Sequence, residues 1–232
     1  MRAGTLKWSA LPYHGETVSF LDQLKSQANA LQSQRSTQQQ DLAGRIAQTE
    51  QACETIWRYF NELARQLNVI VPPGPTLSLD NRQAWPEMCL MDFRSDARKK
   101  FWMNREVYDH VSLGWIINPR EGKPLATSVS VNFPPDLERV THRLSLGQIR
   151  HERHEVRHPE KSSLLALRFD YQTQAFGSVR ATADHEAGEV HFRAANLRGF
   201  EVAQVRHPVQ RINSVLLDEL ARLIVGQAGA FL

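Results

Sequence analysis

The segment His154-Glu155-Val156-Arg157-His158 matches H-E-x-x-H and is the sharpest arrangement of chemically competent side chains in this sequence. On a helix, histidines four apart face one way and bind Zn²⁺, while the glutamate acts as general base on a metal-bound water. The flanks argue against that use. From Arg150 to Lys161 the only apolar residues are Val156 and Pro159, so a helix here has almost nothing to bury, and Pro159 discourages helical geometry at His158. A third ligand must come from elsewhere, with Glu219 one source. The segment therefore reads as a solvated, charged connection, with His154 and His158 as a candidate metal pair. His142 and His151 extend it into a cluster that could hold a metal or respond to pH, since imidazoles titrate near neutrality, although no Cys or Asp stands at ligand spacing.

A second chemistry is anion binding. Arg94, Arg98, Lys99, Lys100 and Arg105 are interleaved with Phe93, Phe101, Trp102 and Tyr108, a pattern that offers cations to phosphates and rings to bases. Arg139, Arg143, Arg150, Arg153, Arg157 and Lys161 form a second basic stretch. Charge bookkeeping restrains this reading: residues 1–70 carry 7 Lys+Arg against 6 Asp+Glu, and the remainder 21 against 19. Both parts are nearly balanced, as a mixed soluble surface would be. In that reading Trp102 belongs to a core and Arg98-Lys99-Lys100 to a charged hairpin turn. Asp92, Asp96, Asp109 and His110 could meet on a sheet as an acid/base group, but polar residues alternating along a strand are usually its wet face. There is no G-x-S-x-G, P-loop or G-x-G-x-x-G, and no cofactor is expected.

The elements that would position these groups begin with a long helix. Apolar residues fall at Leu21, Leu24, Ala28 and Leu31, and again at Leu42, Ile46, Thr49, Cys53, Ile56, Phe60, Leu63 and Leu67, in steps of three and four. That spacing predicts a coiled-coil seam over 17–70, with Leu42, Ile46, Ile56, Phe60, Leu63 and Leu67 contacting a partner or a second copy. The two sets join at a stutter, with Arg35 and Gln38 at core positions. One helix on the order of 80 Å long is favoured over a fold-back near Gln38, because no Gly or Pro lies between Thr17 and Leu42. An N-terminal arm over 1–16 carries Trp8 and Tyr13. A Pro-rich linker over 71–76 ends the helix.

Beyond the linker, over 77–232, the period becomes alternating. Strands are expected at 90–94, 107–117, 125–133, 164–171, 178–183 and 190–194, with hairpin links at 118–123 and 184–188. A helix after Pro134-Pro135-Asp136 should bury Leu137, Val140, Leu144 and Ile149. Another, beginning after His207-Pro208 and ending at Gly226, should bury Ile212, Val215, Leu216, Leu220, Leu223 and Ile224. The expected class is α+β: a long N-terminal coiled-coil helix followed by an antiparallel sheet covered by two helices. Cys53 and Cys89 read as small core residues, and Phe231 and Leu232 as a tail that docks on a partner or on the body. No apolar run approaches the ~20 residues of a bilayer span, and no signal peptide is evident, so a soluble cytoplasmic protein is expected. The function this favours is non-enzymatic assembly or adaptor work, followed by nucleic-acid association and then by metal-dependent hydrolysis.

Overall fold

A computed structural model of the chain describes residues 19–161 and 163–232. The arm over 1–16, with Trp8 and Tyr13, and the start of the seam at Thr17 lie outside the described residues. Contacts divide the chain into two units, Met1–Ala43 and Gly44–Leu232. The division falls inside the long helix rather than at the Pro-rich linker.

That helix, α1, is continuous over Phe20–Ile70 and does not fold back near Gln38. In the first unit, every residue from Phe20 to Asp41 is exposed. In the second, Ile46, Thr49, Ala52, Cys53, Ile56, Phe60, Ala64 and Leu67 are buried, with helical spacing that makes one continuous stripe. The helix stops at Val71, whose φ of 48° is left-handed, and Pro72 then removes the next donor. Residues of the linker are themselves paired, Leu90 N–H donating to Pro72 O and Gly74 N–H to Met88 O, so the linker lines the start of the first strand.

The strands form two antiparallel sheets. Five of them, β1 (Met88–Trp102), β2 (Arg105–Pro119), β6 (Ala175–Asp184), β7 (Glu189–Ala195) and β8 (Val202–Pro208), pair in the order β1-β2-β6-β7-β8. The other three, β3 (Ala126–Val131), β4 (His151–Arg157) and β5 (Leu164–Gln172), pair in the order β3-β5-β4. The α+β class holds, with helices α2 (Pro134–Leu146) and α3 (Ser214–Ile224) beside the sheets. The link over 118–123 is not a hairpin: β2 pairs with β1 and β6, and β3 belongs to the other sheet. The link over 184–188 does join paired neighbours, β6 and β7.

On one face of the larger sheet Val111, Leu113, Trp115, Val179, Ala181 and Phe192 are buried, in one cluster with the α1 stripe and α3. Gly177 lies opposite Trp115, where an added Cβ would sit 2.2 Å from the indole. α2 starts on Pro134 and buries Val140 and Leu144. In α3, Asn213 caps the first turn by accepting from Leu216 N–H, and Leu216, Leu220, Leu223 and Ile224 are buried as expected, while Val215 is exposed and Leu217 is buried in its place. Phe231 is buried against Phe192 and His207, so the C-terminal segment docks on its own unit, while Leu232 stays exposed. No helix among the described residues is long and apolar enough to cross a membrane.

Candidate functional site

The expected partner seam is buried over most of its length. Ile46, Ile56, Phe60 and Leu67 are buried within the chain's own core, Leu63 packs partly against it, and Leu42 is half-buried. From Ile46 to Leu67 the stripe is therefore filled by the sheet of the same unit and is closed to a partner helix. Polar clamps hold it there. Glu50 accepts from Tyr108 N–H at 2.8 Å and from His185 Nε2 at 2.9 Å, and Glu54 accepts from the Tyr108 hydroxyl at 2.6 Å. The Tyr108 bond, with help from Arg58, holds the Glu54 carboxyl below its ordinary value, while burial raises Tyr108. Cys53, buried in the stripe beside Glu50, is pushed up to about 12, so its thiol stays protonated and inert.

The H-E-x-x-H segment is not helical. Its first four residues lie in β4, an edge strand with all seven residues exposed, and His158 follows the strand just before a turn over 159–161. At about 3.3 Å per residue, positions four apart on an extended chain are separated by roughly 13 Å, too far for one metal ion. The rings are also committed separately: His151 Nδ1 to Ile149 O, His154 Nε2 towards Asp170 at 3.3 Å, and His158 Nδ1 to the backbone N–H of Glu160 and Lys161. His142 is exposed on α2, and Glu219 pairs with Arg222 and accepts from Ala230 N–H. Among the described residues no three His, Cys, Asp or Glu side chains converge on a metal-sized site.

The basic-aromatic stretch is a strand and not a turn. β1 runs through Arg98-Lys99-Lys100, and the hairpin turns beyond them at Met103-Asn104, both with positive φ as a two-residue turn requires. Four of the stretch's five cations meet a carboxylate or ring: Arg94 with Asp92, Arg98 with Asp96, Lys100 with Asp109, and Lys99 with Glu106 and the face of Tyr108. Trp102 is half-buried beside His185, their rings 5.6 Å apart, and Arg105 is exposed at the turn. The proposed acid/base group is likewise dispersed. Asp109 bonds His110 Nδ1 at 2.8 Å, which with Lys100 holds its carboxyl below the usual range, while Asp92 and Asp96 face their own arginines.

What the fold does bring together lies on the other, open face of the five-stranded sheet. Register places Arg180 of β6 directly opposite Arg193 of β7, with Ser112 and Gln204 on their outer sides. The adjacent row along the strands reads Arg98, His110, Thr182, His191, Arg206. Arg180, Arg193 and Arg206 are exposed, and none has an ion-pair or hydrogen-bond partner among the described residues. At the hairpin end a cavity of about 260 Å³ is lined by Lys100, Trp102, Thr182, His191, Asp184 and Glu186 among others. At the far end Phe176 keeps 37% of its surface exposed. In the sequence these arginines look like ordinary outward positions on separate strands, and only the pairing register makes them neighbours. Comparison with protein-family models, with curated proteins and with solved structures finds no match to this chain.

Proposed function

We propose that this chain is a non-enzymatic assembly or adaptor protein, in which residues 20–43 of α1 pair with a helix of another polypeptide and the α+β unit binds a further component. One observation carries the reading. Leu21, Leu24 and Leu31 stand on one helical stripe at 58%, 45% and 55% exposure, while the continuation of that stripe from Ile46 onwards is already buried. Most helical stability in proteins comes from packing an apolar face, so covering this stripe stabilises the segment. The two cysteines, both free and buried, suit a reducing compartment and support a cytoplasmic setting.

The test is Leu24→Asp with Leu31→Asp. Light scattering should show a smaller species than the wild type, or affinity purification should lose a stoichiometric partner, with the melting temperature of the 44–232 unit unchanged. A wild-type chain that is monomeric and binds the same proteins as the variant would overturn the reading.

A further inference from the structure

We propose that the open face of the five-stranded sheet binds single-stranded nucleic acid, with Arg180, Arg193 and Arg206 contacting phosphates and Trp102 stacking a base. This names the component held by the α+β unit, and it stands apart from the helix pairing because none of its residues lies on α1. Arg180 and Arg193 face each other across β6 and β7. Residues directly opposite on neighbouring strands have side-chain roots about 5 Å apart, and like charges so placed destabilise a sheet. Neither guanidinium has a partner among the described residues, although Asp92, Asp96 and Asp109 neutralise the cations of β1 on the same sheet. An uncompensated pair at the centre of a sheet face, with Arg206 one row away, is a cost that a bound anion removes.

The shape of the donor field selects the anion. Successive rows on one face are two residues apart, about 6.6 Å, close to the separation of successive phosphates on an extended single strand. Thr182 and Gln204 beside the arginines add neutral donors of the kind that contact phosphate and sugar oxygens. At one end of this field the cavity beside Trp102 has room for one base, and Asp184 and Glu186 on its wall can accept from an exocyclic amine. At the other end Phe176 offers a second ring. An open sheet face with rings at its ends and cations between them suits a strand whose bases are free to splay, and a duplex keeps its bases stacked inside.

Anisotropy titrations of the full chain with a fluorescein-labelled mixed-sequence 12-nucleotide RNA and its DNA counterpart test this. Arg180→Ala with Arg193→Ala should weaken binding by about tenfold or more and flatten the slope of log K against log salt by about 1.4, roughly 0.7 for each phosphate that is no longer neutralised. The same variant should melt at the same or a higher temperature than the wild type, because it removes a like-charge pair. Trp102→Phe, which keeps a ring, should retain more affinity than Trp102→Ala at matched fold stability. Three results overturn the proposal: no binding by the wild type at low salt, binding indifferent to the arginine pair, or a poly-glutamate peptide competing as well as unlabelled oligonucleotide, which would assign the face to an acidic protein segment. Leu24→Asp with Leu31→Asp should leave these titrations unchanged, so failure here and failure of the helix pairing remain separable.

Discussion

At Asp92, with φ of 54°, β1 bulges, and the ladder to β2 skips between Met91 and Arg94. A bulge leaves a residue without its cross-strand partner. Here Asn68, near the end of α1, supplies both missing groups: its Oδ1 accepts from Phe93 N–H at 2.7 Å and its Nδ2 donates to Phe93 O at 2.9 Å. One side-chain amide thus stands in for a stretch of neighbouring strand and ties the helix terminus to the sheet. Asn68→Ala strands a donor and an acceptor together, so it should destabilise the unit by about 1–3 kcal/mol in denaturant titration. Asn68→Asp keeps the acceptor and loses the donor, and its stability should fall between those of the wild type and Asn68→Ala. Nothing in the residue pattern announces this role, because an Asn on the polar flank of an amphipathic helix looks solvated until a backbone gap is placed beside it.

Among the elements, those with an apolar face were legible and those without one were not. Alternation such as Leu165/Leu167/Phe169/Tyr171 marked β5 and Gly226 marked the end of α3, whereas its start was hidden: His207-Pro208 closes β8, and the helix begins six residues later at Ser214 behind the Asn213 cap. β4 carries seven exposed residues and therefore no alternation of apolarity; its charges suit an edge strand, where they discourage pairing with another chain. β8, the edge of the other sheet, does turn Ala203, Val205 and His207 inward, but a small residue and a histidine on that face and Val202 on the other blur the alternation. In α1 the helical period was legible, yet periodicity says that a face is apolar and not what covers it. A seam for a partner helix and a stripe for a sheet have nearly the same spacing. Gly177 shows how closely the covered face of the sheet is packed. Its missing Cβ is the space the Trp115 indole occupies, and Trp115 in turn stacks on Phe93 at 5.5 Å. Gly177→Ala should cost about 1–3 kcal/mol through overpacking. Adding Trp115→Phe should recover part of it, read as non-additivity in a double-mutant cycle.

At the scale of the whole molecule, α1 has two different dependencies within one continuous helix. Residues 44–70 are part of the fold of the second unit, through the buried stripe and through Glu50, Glu54 and Asn68, whereas residues 20–41 bury nothing. The energetic consequence can be estimated. Burying Ile46, Ile56, Phe60 and Leu67 contributes on the order of 6–12 kcal/mol at about 1.5–3 kcal/mol each, comparable with the entire net stability of a domain, about 5–15 kcal/mol. A chain beginning at Gly44 should therefore fold cooperatively with the melting temperature of the full protein, while one beginning at Val71 should expose the apolar face of the sheet and fail to give a cooperative transition. Calorimetry of the two truncations reads this directly. If the chain from Val71 melted cooperatively near the full-length temperature, α1 would be an appendage along its whole length, and the division between its buried and exposed parts would lose its meaning for assembly.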